Sequence, residues 1–375
     1  MRDAADGTGA TPRGGAHVLR IAYATTRADG APALATARVW IPDRARADGL
    51  AVVAHATVGL ADACAPSAQR LAADALVAPW AAHGWATIAP DYAGLGSPGT
   101  QGYGDGEDTA RSTLDAVRAL RGLLGEGTPE PYVIVGHSQG GGAALSAQAI
   151  ASRYGPAGLA AVIAIAPGWP VRASVELLRD PDRRIRGGDE LSAVVAALAL
   201  YAWHARALGD EHAGDGFHPD ARAALVRAVE HDCIGSLVST VPRAAPRVGA
   251  LVDPSLREAL VACADGTTGC TGTAAALWSF MRANVLTPDP AGAPVAILTG
   301  ADDALITPAR VQCVADHLRA GGVDPGVCVV PGADHVTIVP RALAHAIAIA
   351  EAAVSGGAPP GCSHAQSPVE CDRAL

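Results

Sequence analysis

The chain has 375 residues, half of them apolar, with 37 acidic against 28 basic side chains and a formal net charge of −9. That length can bury a large core, as one α/β domain with an insertion or as two domains. The acidic balance argues against nucleic acid and anionic membrane surfaces as partners, and no uninterrupted apolar stretch is long enough to span a bilayer. There is no lysine and a single asparagine, Asn284, which together with the Ala and Arg excess reads as genome composition. Eight cysteines are many for a reduced cytosolic enzyme, and none falls in Cys-x-x-Cys. Disulfides are therefore expected rather than a metal site, and with them an oxidising compartment. Met1-Arg2-Asp3 opens a polar, Gly-rich start and not an apolar signal segment. An exported chain of this kind is expected to have lost its signal peptide, a non-Sec route being the alternative.

Residues 1–16 read as a disordered lead. Residues 17–25 and 33–41 alternate as a β-hairpin about Ala28-Asp29-Gly30. A buried strand is expected at 50–54, then the loop His55-Ala56-Thr57-Val58-Gly59. Helical spacing of Leu71, Leu76 and Trp80 predicts a helix over 67–83 that stops at Gly84. A strand at 85–90 ends in Asp91-Tyr92-Ala93-Gly94-Leu95-Gly96, and a helix covers about 108–124. Strands at 131–136 and 159–166 flank another helix, and this alternation predicts a parallel, doubly wound sheet. From 169 to 290 the rhythm breaks into helices alone, at 190–208, 220–230, 255–264 and 273–283. This reads as a helical cap inserted between two strands. Strand 295–299, helix 308–320, strand 327–330 and helix 341–355 complete a core of 17–168 and 291–355, and 356–375 is a tail.

The stretch that organises the chain is Tyr132-Val133-Ile134-Val135-Gly136-His137-Ser138-Gln139-Gly140. A β-branched run ending in Gly-x-Ser-x-Gly and followed by a small-residue helix is the strand, turn and helix of a nucleophile elbow. Ser138 is read as a nucleophile. A serine needs a base to take its proton and a carboxylate to orient that base, and on such sheets they follow in the order Ser, acid, His. Strand 295–299 opens into Ala301-Asp302-Asp303, where Gly-x-x-Asp selects Asp303 with Asp302 as fallback. The next strand opens into Gly332-Ala333-Asp334-His335, which selects His335 among 12 histidines. Two backbone donors would hold an oxyanion: Gln139, and either Thr57 or Val58. His55 is read as a brace of that loop, with no part in proton transfer.

The runs His55-Ala56-Thr57-Val58-Gly59, Cys64-Ala65-Pro66-Ser67, Asp91-Tyr92-Ala93-Gly94-Leu95-Gly96 and Gly136-His137-Ser138-Gln139-Gly140 resemble the secretory lipases, a group that includes bacterial exported lipases and the fungal lipase A type. The resemblance runs from about residue 17 onward and is weakest in the cap. It implies an α/β-hydrolase fold and an exported carboxylic-ester hydrolase with a helical lid over an acyl pocket. Small-molecule or lipid esters would be its substrates, with no cofactor and no metal, and a monomer is favoured. Polyester hydrolysis and acyl transfer use the same residues, and a fold retained for binding with impaired chemistry is the non-enzymatic alternative. Bacterial relatives commonly carry His-Gly in the oxyanion loop, where this chain has Ala56. Trp169, Trp203, Trp278, Phe280 and Met281 are candidates to line the pocket, or alternatively to fill the cap's own core. Sequence separation pairs Cys263 with Cys270, Cys313 with Cys328, Cys362 with Cys371 and, by remainder, Cys64 with Cys233, one set among many.

Overall fold

The structure, a computed structural model, describes residues 2–3, 16–46, 48–69, 76–169, 172–362 and 371. Its strands are β1 (Arg2–Asp3), β2 (Ala16–Thr26), β3 (Pro32–Pro42), β4 (Leu50–Ala54), β5 (Ala86–Pro90), β6 (Tyr132–His137), β7 (Leu159–Ile165), β8 (Val295–Gly300) and β9 (Gly326–Val330). Among the described residues they form one nine-stranded sheet in the order β1-β2-β3-β5-β4-β6-β7-β8-β9. The hairpin side is antiparallel and everything from β5 onward is parallel. β4, β5 and β6 are buried on both faces, as central strands covered by helices must be.

Helices α1 (Ala78–Ala82) and α10 (Ile338–Ser355) cover one face, where Trp40, Trp80 and Trp85 are buried with Val53, Val135 and Ile347. On the other face α2 (Gly106–Leu124), α3 (Gln139–Tyr154) and α9 (Pro308–Ala320) pack over Val52, Ile134, Val162 and Ile297. Between β7 and β8 lie α4 (Asp189–Leu208), α5 (Arg222–His231), α6 (Ile234–Ala244), α7 (Pro254–Asp265) and α8 (Gly272–Ala283), with 3-10 turns between them. They bury a separate apolar cluster around Leu198, Phe217, Leu225, Leu237 and Leu251. This helical segment is referred to below as the cap.

Several expectations need correction. Of the lead over 1–16 only residues 2, 3 and 16 are described, and these are in strands: Arg2 and Asp3 pair with Arg20 and Leu19, and β2 begins at Ala16. Of the helix expected over 67–83, the described residues show a 3-10 turn at Pro66–Ala68 and the short α1, with Pro79 in its first turn, and 70–75, Leu71 included, lie outside the described residues. The cap holds an additional helix, α6, with Pro242 in its last turn, where the ring removes the N–H that would bond the Val238 carbonyl. α4 and α10 are long and apolar enough to cross a bilayer by length and composition. α4 nevertheless contributes buried residues to the cap cluster, and α10 packs on β6 and β7.

Disulfides join Cys64 to Cys233 and Cys263 to Cys270, but the other two pairs are Cys313–Cys371 and Cys328–Cys362. The expected Cys313–Cys328 and Cys362–Cys371 pairings fail for a layer reason. Cys313 packs with the α2/α3/α9 face, where Cys371 also lies, while Cys328 and Cys362 belong to the α1/α10 face. The sheet stands between the two nearest partners.

Candidate active site

Parallel strands bring their C-terminal ends to one edge, where ligands bind in open α/β sheets. Three of these ends carry non-glycine residues at positive φ: Tyr92 (69°) after β5, Ser138 (53°) after β6 and Ala166 (41°) after β7. Such conformations cost on the order of 1–3 kcal/mol each and persist where the surroundings over-determine them. At Ser138 the surroundings are α3 and the neighbouring strands. A Cβ on Gly136 would sit 2.0 Å from the Gly140 carbonyl oxygen, and one on Gly140 2.1 Å from that of Ala54. Only glycine lets the turn close this tightly. Ser138 precedes the first residue of α3, and Gln139, that first residue, has no carbonyl one turn back to receive its N–H.

The structure brings Ser138, Asp303 and His335 into one hydrogen-bonded chain. His335 Nε2 lies 3.0 Å from Ser138 Oγ, and His335 Nδ1 lies 2.8 Å from Asp303 Oδ2. All three residues are buried. The second carboxylate oxygen, Asp303 Oδ1, accepts from the backbone N–H groups of Leu305 (2.9 Å) and Ile306 (2.8 Å). With Nδ1 donating to the carboxylate, Nε2 is left to accept from the serine hydroxyl. Asp302, the fallback, is exposed, and its N–H donates to Ala333 O. His137 is buried, and its Nε2 is 2.8 Å from the carbonyl oxygen of His335. Burial first, and then the neighbouring His335, push its pKa down to about 4.

The loop after β4 is braced from below. His55 Nδ1 donates to Ala56 O at 2.6 Å, and the Tyr92 hydroxyl donates to His55 O at 3.2 Å. Burial lowers the pKa of His55, keeping the brace neutral. The two oxyanion candidates then separate. Thr57 lines the same cavity as Ser138 and Gln139, and its Oγ1 is 2.6 Å from the Tyr103 hydroxyl. Val58 does not line that cavity; its carbonyl accepts from Ile234 N–H of the cap at 2.8 Å. Tyr103, pushed up to about 12 by burial, remains a hydroxyl donor. It was missed in the sequence because a tyrosine in Gly102-Tyr103-Gly104 reads as turn filler.

The cavity, about 290 Å³, runs from Ser138 between α2, α3 and the cap. Leu178, Val195, Leu200, Leu260, Leu277 and Ile306 are among its apolar walls. Of the aromatic and Met candidates, Trp169, Phe280 and Met281 line it. Trp203 and Trp278 do not: they pack into the cap's own cluster, Trp203 edge-on against His204 at 4.9 Å. Composition could place these side chains in the cap but could not assign them to a face. The sole asparagine, Asn284, also lines the cavity. Its Oδ1 accepts from Gly106 N–H at 2.5 Å and its Nδ2 donates to Phe280 O at 2.9 Å, fastening α8 to the start of α2.

Beside it, the cap is ionically tied to the core. Arg206 of α4 reaches Asp108 (3.1 Å) and Asp105 (3.5 Å), and Arg27 reaches Asp108 (3.0 Å). Asp105 caps α2 by accepting from Asp108 N–H at 3.0 Å. Burial, with Asp108 next to it, raises the Asp105 pKa to about 6. Its folded pKa thus lies above the ordinary carboxylate value, so the ionised form costs stability above about pH 6 and acidification recovers it down to about pH 4. Asp105→Asn keeps the cap acceptor and removes the charge. It is expected to stabilise the fold by ~1–2 kcal/mol at about pH 8 and to give little gain near pH 4, as read from thermal melts across that range.

Comparison with known proteins adds to this geometry. The secretory lipase family profile matches residues 65–201. The fold is similar to that of Candida antarctica lipase A in its closed state, with a TM-score of 0.71 at 17% identity over 92% of this chain and 79% of that one. It is also similar to the rice cell wall degrading esterase LipA of Xanthomonas oryzae, with a TM-score of 0.64 at 17% identity over 91% and 89% of the two chains. No curated protein matches the sequence. The chain resembles the secretory lipases in sequence over residues 65–201, and its fold is that of an α/β-hydrolase.

Proposed function

We propose that the protein is a serine carboxylic-ester hydrolase working through an acyl-serine intermediate. The observation that carries this reading is the Ser138–His335–Asp303 chain, at 3.0 and 2.8 Å, opening on a mostly apolar cavity. The secretory-lipase match and the hydrolase fold support ester hydrolysis in general. His335 Nε2 takes the proton of Ser138 as Oγ attacks the ester carbonyl, and returns it to the departing alcohol. Water then repeats the sequence in reverse to free the acid. Asp303 fixes the tautomer and stabilises the imidazolium. The N–H of Gln139 and that of Thr57 hold the oxyanion, the latter preferred to Val58 because Thr57 faces the cavity. Trp169, Phe280 and Met281 would line the acyl site. The core of 17–168 and 291–355, the cap of 169–290 and the tail from 356 would be its working parts. Four disulfides and the secretory-family match fit an extracellular enzyme.

A panel of p-nitrophenyl esters of increasing acyl length tests this reading. A cavity of about 290 Å³, at the lower bound of the usual ligand-pocket range, is expected to favour short and medium chains. A diethylphosphoryl label should appear by mass spectrometry on the Ser138 peptide and stop turnover. Oxidised, folded protein that hydrolyses none of the esters and takes no label would sink the proposal.

A further inference from the structure

We propose that His137, beyond packing the elbow, is a positioning residue that fixes the base His335 through its backbone. This rests on the role given to His335 above. The imidazole of His335 must satisfy two partners at once, Asp303 at 2.8 Å and Ser138 at 3.0 Å. It hangs on a loop whose flanks are tied: Ala333 O accepts from Asp302 N–H at 3.0 Å, and the Asp334 carboxylate accepts from Val336 N–H (3.0 Å) and Thr337 N–H (2.7 Å). Between those ties, the carbonyl of residue 335 itself is held by a side chain, His137 Nε2 at 2.8 Å.

A carbonyl can only accept, so the proton of neutral His137 sits on Nε2. The donor lies on the last residue of β6, one peptide from Ser138. A single rigid strand end therefore sets both the nucleophile and the backbone that carries the base. The two imidazole rings lie 4.9 Å apart, close enough that a second positive charge would oppose the imidazolium formed during turnover. Burial keeps His137 neutral near neutral pH, so it holds the loop without that opposition. A displacement of about 1 Å at a catalytic group can cost roughly a hundredfold in rate, which gives this clamp its leverage.

Two variants separate the donor from the ring. His137→Phe keeps a flat side chain and removes the N–H; His137→Gln places an amide N–H at a similar reach. In His137→Phe, kcat on the best ester is expected to fall by roughly 10- to 100-fold with KM within about threefold, while His137→Gln stays within about threefold of the parent in both. If the phenylalanine ring cannot be accommodated, His137→Met serves as the donor-free variant. The low-field proton resonance of the His335–Asp303 hydrogen bond gives a readout independent of turnover. It should weaken in the donor-free variant and persist with glutamine. Parental kcat and resonance in the donor-free variant would overturn the proposal. So would loss of both in His137→Gln as well, since the ring and not the donor would then matter. Wild-type protein with no Ser138-dependent hydrolysis would instead defeat the enzymatic reading, and the resonance would still report on the clamp.

Discussion

Ser138→Ala is expected to lower kcat for ester hydrolysis by roughly a million-fold while leaving the fold and ligand binding in place. The size follows from how the three side chains act as a unit. Without Oγ, the proton acceptor at His335 Nε2 has nothing to activate, and only the oxyanion donors and the cavity remain to assist water. Alanine occupies the same backbone position at φ 53°, so the turn keeps its conformation and its strain. Loss of a single hydroxyl should therefore shift the melting temperature little. Steady-state kinetics on the best p-nitrophenyl ester, with a melt on the same sample, decides the matter. A residual kcat within about tenfold of wild type would mean that another residue is the nucleophile.

Asp303→Asn should cost about 10⁴-fold in kcat, the second largest effect. The reason lies in the two backbone donors on its far side. Leu305 N–H and Ile306 N–H both point at Oδ1, so an asparagine here must turn its carbonyl oxygen to them and its NH₂ to His335. That NH₂ donates to Nδ1 and forces the imidazole proton onto Nε2, which can then no longer accept from Ser138. The loss is one of tautomer, with the carboxamide in place of the carboxylate and little change in shape. Asp302→Asn is the internal control: Asp302 is exposed, and its substitution should leave kcat/KM within about twofold. Equal losses at both positions would show that the effect is not the tautomer.

That Ser138, Asp303 and His335 come together was legible because each lies in the loop that follows a sheet strand, and strand ends are what an apolar, β-branched run bounded by glycine marks most sharply. Val295–Gly300 and Gly326–Val330 show their ends in the sequence as plainly as Tyr132–His137 does. What could not be read was anything that depends on which side of the sheet a residue faces. Cys313 and Cys328 are near in sequence and separated by a layer. Trp203 and Trp278 share helices with cavity residues but turn the other way. The clamp from His137 belongs to the same class, since a strand residue's partner on a loop about 200 positions later leaves no local signal. The preference for Thr57 over Val58 likewise rests on which of the two faces the cavity, a matter of side that leaves no mark in the sequence.

The joint between the cap and the loop after β4 limits how this scaffold can be rebuilt. Cys64 and Cys233 are 169 positions apart, and the loop they close constrains the unfolded chain by on the order of 5 kcal/mol in the chain-entropy account. Next to it, the Val58–Ile234 hydrogen bond ties the same two segments through their backbones. A transplanted cap from another hydrolase would therefore have to bring a cysteine in the place of Cys233 and an N–H in the place of Ile234. Lacking them, it would leave Cys64 as an unpaired thiol beside the loop that carries Thr57. Modular exchange, often treated as a matter of matching hinge lengths, is here a matter of matching one covalent and one hydrogen-bonded seam.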